Sequence, residues 1–224
     1  MGTNHQHASP ERVPLPTLCP PANFGIVEPN VYRSNALYPI NFPFIRQLKL
    51  KTVVSLSPDL PNKAVSTFFS DNGITLIHLG LKTLDTKYKK GASTNKPISE
   101  ELIKEALEVV LDAGSHPIMI MCSSGIHQTG TLVGCFRRLQ NWNLTPILQE
   151  YRTFSGSSTR FANEQFIELF DVDLVTLPEN LPWWFVEQQR MMEEEMAEEE
   201  QQELERHEGG GKQLAAATEQ WVTD

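Results

Sequence analysis

Cysteine is scarce in this chain of 224 residues, with three in all, Cys19, Cys122 and Cys135. An odd count without C-x2-C pairs offers neither a disulfide framework nor a metal site, and it fits thiols kept reduced in the cytoplasm. No stretch of eighteen consecutive apolar residues occurs, and residues 1–21 hold no apolar core of a signal peptide, so a soluble cytoplasmic protein without a membrane partner is expected. A basic excess is missing as well. The formal charge is −9, and all of it sits in the tail after Val186: twelve acidic side chains (ten Glu between Glu187 and Glu208, then Glu219 and Asp224) against Arg190, Arg206 and Lys212. The rest is neutral, so nucleic acid is not an expected partner.

Apolar material is plentiful. Hydrophobic residues make up 40% of the chain, with four Trp and eleven Phe, enough to offset the entropy of ordering a backbone. The length suits one α/β domain of roughly 150–200 residues plus a tail. The expected division is a flexible segment over 1–22, a folded domain over 23–185, a Glu-rich helical or disordered segment over 186–208 closed by the glycines 209–211, and a disordered remainder to 224.

Within the domain, residues 25–27 and 31–34 read as edge strands around a Glu28-Pro29-Asn30 turn, and 52–56, 74–79 and 118–121 as buried strands. Helical spacing covers 41–50 and 61–72, then a helix capped by Ser99 with Leu102, Ile103, Ala106, Leu107, Val110 and Leu111 on one face. Further helices follow over 129–142, from Thr145-Pro146 onward, and over 163–170. In the 129–142 helix, Arg137 and Arg138 are expected to face outward. The fold class implied is α/β, a central, mostly parallel sheet of four to five strands flanked by helices.

One junction carries chemistry. The buried strand ends in Cys122, a loop of small residues follows, and a helix opens near Thr129. Amide groups of such a loop converge with the helix N-terminus into an anion pocket. The same positive field favours the thiolate, the form that attacks phosphorus. On position alone, a buried structural cysteine is the commoner reading.

Particular residues then add to the spacing. Asn23-Phe24, Val27-Glu28-Pro29-Asn30-Val31-Tyr32-Arg33-Ser34, Asn41-Phe42-Pro43-Phe44, Leu50-Lys51-Thr52 and Leu56-Ser57-Pro58 are followed by Leu132-Val133-Gly134-Cys135, Arg138-Leu139-Gln140-Asn141-Trp142 and Phe166-Ile167-Glu168-Leu169-Phe170-Asp171. Over 23–171 this text resembles the plant and fungal atypical dual-specificity phosphatases of the protein tyrosine phosphatase superfamily, and within them the fungal subgroup named for oxidant-induced cell-cycle arrest. The resemblance implies a Cys-x5-Arg phosphate loop with Cys122 as nucleophile and Ser123, Ser124, Gly125, Ile126, His127, Gln128 and Thr129 around the phosphate. Gly125, His127, Thr129 and Gly130 match the family's loop. Gln128 stands where the family has arginine, whose fork grips two phosphate oxygens, a role that a neutral amide cannot fill. By analogy with the family's movable aspartate loop, Asp85 is the general-acid candidate. Lys82, Lys87, Lys89, Lys90 and Lys96 form either a solvated loop or a collar for a polyanion. No cofactor or metal is implied.

Two functional readings follow from that loop. The first is a pseudophosphatase or phosphate-binding regulatory protein in stress or cell-cycle signalling, binding an inositol phosphate or a phosphoprotein and assembling with sister proteins of its subgroup. The alternative is a low-activity cysteine-dependent phosphatase acting on phosphotyrosine or on an inositol pyrophosphate, whose better leaving group tolerates a weaker site. An inert structural Cys122 leaves the retained Gly125, Thr129 and Gly130 unexplained.

Overall fold

Five short runs of apolar and β-branched residues pair into one sheet. The computed structural model describes residues 18–80 and 98–220. The strands are β1 (Gly25–Glu28), β2 (Val31–Asn35), β3 (Thr52–Ser55), β4 (Thr75–His78) and β5 (Ile118–Cys122), in the order β1-β2-β5-β3-β4. Only β1 runs antiparallel, joined to β2 through a turn in which Asn30 takes φ 67°. β3 and β5 are buried at every residue, which is why both read as unbroken apolar runs rather than alternating ones. The expected α/β class and mostly parallel sheet are what the chain adopts.

The chain forms two compact units. The first holds the described residues 18–80 with Pro117–Thr129, and therefore the whole sheet. Its helices are α1 (Phe42–Gln47) and α2 (Lys63–Asp71). A helix over 41–50 was expected. The observed one is shorter because Pro39–Asn41 forms a separate 3-10 turn and Lys49 enters the left-handed region at φ 49°. Helix α2 starts where Asn62 Oδ1 accepts the Val65 N–H at 3.0 Å, satisfying one of the amides that a helix start leaves unpaired. Ile45, Val53, Val65, Phe68, Phe69, Met119 and Met121 form the core of this unit.

The second unit comprises residues 98–116 and those from Gly130 onward. Helix α3 (Glu100–Leu111) begins at the expected cap, where Ser99 Oγ accepts the Leu102 N–H at 3.2 Å, and it buries the expected face from Leu102 to Leu111. Helix α4 (His127–Leu139) opens two residues before Thr129. Helix α5 (Leu144–Ser155) begins after Asn143, and α6 spans Phe161–Leu169. Arg137 is not the surface charge that was expected. It is 5% exposed, with Nε donating to Glu150 Oε2 at 3.0 Å and Nη1 to Gln140 Oε1 at 2.9 Å. Asn141, at φ 56°, turns the chain so that Trp142 lies 4.2 Å over the guanidinium, and a delocalised cation stacks well on an indole.

Helix α7 runs from Trp183 to Gln220, past the three glycines at which the sequence pattern placed its end. Each glycine weakens a helix by about 1 kcal/mol relative to alanine, but the Glu, Gln, Leu and Ala on both sides are strong formers. Its first turns are anchored. Trp184 meets Phe136 edge-on at 5.8 Å, Phe185 is 1% exposed, and Gln140 and Gln188 exchange two hydrogen bonds at 3.0 and 2.9 Å. Beyond them Met191 and Met196 are exposed, in keeping with the absence of an apolar stripe. Among the described residues no helix is long and apolar enough to cross a membrane.

Truncation should sort these two parts of α7. Ending the chain after Met192 should leave the melting temperature within about 2 °C of the full chain, whereas ending it after Pro182 removes Trp184 and Phe185. Each of these buried aromatics is worth about 3–5 kcal/mol, so the shorter chain should lose cooperative unfolding in a thermal melt.

Candidate functional site

Parallel pairing with β2 aligns Cys122 with Asn35, and pairing with β3 aligns Met121 with Ser55, so the sulfur sits at the carboxyl edge of the sheet. In open α/β sheets that edge is where ligands bind. Cys122 is 2% exposed. Three residues on, Gly125 turns back at φ 69° and donates its N–H to Cys122 Sγ at 3.2 Å. The loop then passes into α4 at His127, whose first amides have no intrahelical partner.

The backbone of this loop is held from several directions. Asn23 Nδ2 donates to the Ser124 carbonyl at 2.8 Å, and Arg33 Nη2, on a side chain 1% exposed, donates to the Gly125 carbonyl at 3.1 Å. The Ile126 N–H donates to Ser124 Oγ at 3.2 Å. Ser123 and Ser57 share a hydroxyl hydrogen bond of 2.8 Å, and Ser57 Oγ also accepts the Asp59 N–H at 3.3 Å. Two glycines mark close approaches: a Cβ on Gly125 would lie 2.6 Å from the Asn35 nitrogen, and one on Gly80 only 1.9 Å from the Ser57 oxygen.

A cavity of about 210 Å³ adjoins the loop, reached past the exposed Tyr38 and Leu60 and ending at Cys122 and Ser123. Its wall includes the buried Ser55, whose hydroxyl has no hydrogen-bond partner among the described residues. Among the described residues its one carboxylate is Asp59 and no basic side chain lines it. The Thr129 hydroxyl, in the first turn of α4, is likewise buried without a partner. Burial pushes the Cys135 thiol far above its usual range, so it is not a nucleophile at neutral pH.

The residues that the sequence singled out from Ser123 to Thr129 form the loop after Cys122 and the first turn of α4; of these Gly125 meets the sulfur, and Gln128 is half-buried in that turn. Asp85 and the five lysines from Lys82 to Lys96 lie outside the described residues. Asn23, Arg33 and Ser57 were quoted in the sequence only as shared text. The available signal was an arginine in a strand otherwise suited to burial.

The family model described as the tyrosine phosphatase family matches residues 18–189. OCA1 of Mycosarcoma maydis is 47% identical over 161 residues, covering 70% of this chain and 96% of that protein. Inositol diphosphatase DSP4 of Arabidopsis thaliana is 37% identical over 153 residues, covering 68% and 74%. The crystal structure of the core catalytic domain of the PP-IP phosphatase SIW14 from S. cerevisiae, in complex with citrate, has a TM-score of 0.63 and 39% identity. It covers 70% of this chain and 90% of that one.

Gly125→Ala tests how tightly the loop is seated. The added methyl meets backbone atoms of Ser34 and Asn35, which cannot rotate away, at a φ that costs alanine about 1–3 kcal/mol. At about 2–4 °C per kcal/mol for a domain of this size, the melting temperature should fall by about 2–12 °C.

Proposed function

The chain belongs to the tyrosine phosphatase family, and on that premise we propose that it is a cysteine-dependent phosphatase of low turnover, acting on phosphotyrosine or on the diphosphate of an inositol pyrophosphate. The observation that carries this reading is the Gly125 N–H at 3.2 Å from Cys122 Sγ, within a loop whose amides lead into a helix N-terminus. A phosphoryl group held by the amides of Ser123 to Thr129 would present its phosphorus to the sulfur. An S–P bond forms as the P–O bond to the leaving group breaks, and the departing oxygen takes a proton, for which Asp85 is the candidate donor. Water then attacks the phosphocysteine, returning the thiolate and releasing inorganic phosphate.

Similarity to the inositol diphosphatase and to SIW14 supports a diphosphate substrate. The cavity beside Cys122, which has an apolar mouth and no basic lining among the described residues, suits an aryl leaving group better, and extra phosphates would need the lysines near residues 82–96.

Gln128 favours a second reading, a regulatory protein in stress or cell-cycle signalling that binds a phosphorylated ligand, in company with sister proteins, without turning it over. Losing one oriented donor at a developing charge costs about 10²–10³ in rate.

Phosphate release from an inositol pyrophosphate and from an aryl phosphate separates the two readings. Wild type should turn over one of them slowly, and Cys122→Ser should abolish that turnover. Gln128→Arg should restore the fork and raise the rate by about 10²-fold or more, a gain that vanishes when it is combined with Cys122→Ser. Absence of wild-type turnover, with phosphate still raising the melting temperature, would favour the regulatory reading.

A further inference from the structure

We propose that Asn23 and Arg33 are positioning residues that orient the peptide groups of the phosphate loop. This rests on the reading of that loop as an anion site. A trans peptide points its carbonyl and its N–H in opposite directions. Asn23 Nδ2 holds the Ser124 carbonyl at 2.8 Å, and the N–H across that same peptide is the Gly125 amide, which lies 3.2 Å from Cys122 Sγ. Arg33 holds the Gly125 carbonyl at 3.1 Å, and the N–H across that peptide belongs to Ile126, turned away from Arg33 onto Ser124 Oγ. If the Ser124–Gly125 peptide flipped, an oxygen would face the Cys122 sulfur in place of a donor; if the Gly125–Ile126 peptide flipped, the Ile126 N–H would leave Ser124 Oγ and the loop's turn would lose the bond that holds it.

Both residues are built for this task rather than for the strands around them. Asn23 adopts φ 53°, a conformation that asparagine tolerates better than most residues. Its turn closes with Phe24 N–H to Pro21 O at 3.3 Å and is tied to the end of β2 by Asn35 N–H to Ala22 O at 3.0 Å. That tie brings the carboxamide to Ser124. Arg33 is buried in β2, where a guanidinium is costly unless it meets acceptors. The carbonyl it meets belongs to the residue whose φ and lack of a Cβ let the loop lie against Ser34 and Asn35.

Three variants of the full chain decide the matter. Asn23→Gly keeps the left-handed backbone and deletes the donor. Asn23→Asp keeps the shape and sets an acceptor against the Ser124 carbonyl. Asn30→Gly is the control, a left-handed asparagine at φ 67° in the β1–β2 turn, away from the loop. The readouts are inorganic phosphate affinity by calorimetry, the rate of iodoacetamide alkylation at Cys122 followed by peptide mass spectrometry at pH 7, and the melting temperature. Both Asn23 variants should bind phosphate about tenfold more weakly and alkylate about tenfold more slowly than wild type, the scale of one hydrogen bond to a charged group. Their melting temperatures should stay within about 2 °C of the Asn30→Gly control. Asn23→Asp alkylating at the wild-type rate overturns the proposal. If wild type binds no phosphate, the reading of the loop as an anion site falls, and alkylation still decides peptide orientation, because it needs no ligand. Arg33→Met should weaken phosphate binding as the Asn23 variants do. If it does not fold, the Asn23 pair carries the decision.

Discussion

Everything at the site depends on how closely the loop after β5 can lie against the end of β2. Gly125 has no Cβ, adopts a left-handed φ of 69° and comes within van der Waals limits of the Ser34 and Asn35 backbone. At that contact its N–H is directed toward Cys122 and its carbonyl accepts from Arg33. The parallel pairing of β5 with both β2 and β3 supplies the rigid floor. A strand with neighbours on both sides cannot slip, so the sulfur's position is set by the same hydrogen bonds that hold the sheet.

Much of this was legible in the residues. β3 and β5 announced themselves as apolar runs between turn signals, α3 by its Ser99 cap and its repeating apolar face, and the loop by a cysteine followed by small residues. The misplaced features share a cause. Arg137 belongs by composition to a surface, and it is the return of Trp142, the Gln140 amide and the reach of Glu150 from α5 that cover it. Helix α1 was overextended because Lys49 gives no local sign of its left-handed turn. Asn23 and Ser124 lie 101 positions apart in the chain, and no periodicity reveals such a pairing. Triple glycine reads as a stop, yet helix formers on both sides carried α7 through.

Gln128 defines what kind of site this is. A loop of amides attracts an anion through partial charges, whereas an arginine brings a full charge and two parallel donors. With glutamine at that place, a loop that held an anion as proposed would have the first kind of recognition and lack the second. Binding would then be less affected than the transition state, which carries more charge on the same oxygens. The negative residues that produce the chain's overall acidity follow Val186 in the sequence and are not part of this loop.

The hydroxyl pair of Ser57 and Ser123 has its own consequence. Either oxygen can be the donor at 2.8 Å, so the pair is a dipole that can reverse without moving a heavy atom. Facing a protonated oxygen, Ser123 can offer a lone pair; facing an unprotonated one, it can swing its hydrogen outward. For a phosphate monoester held as proposed, whose second proton leaves near pH 6, the edge of the loop would meet either ionisation state by rotating a hydroxyl instead of reshaping the backbone.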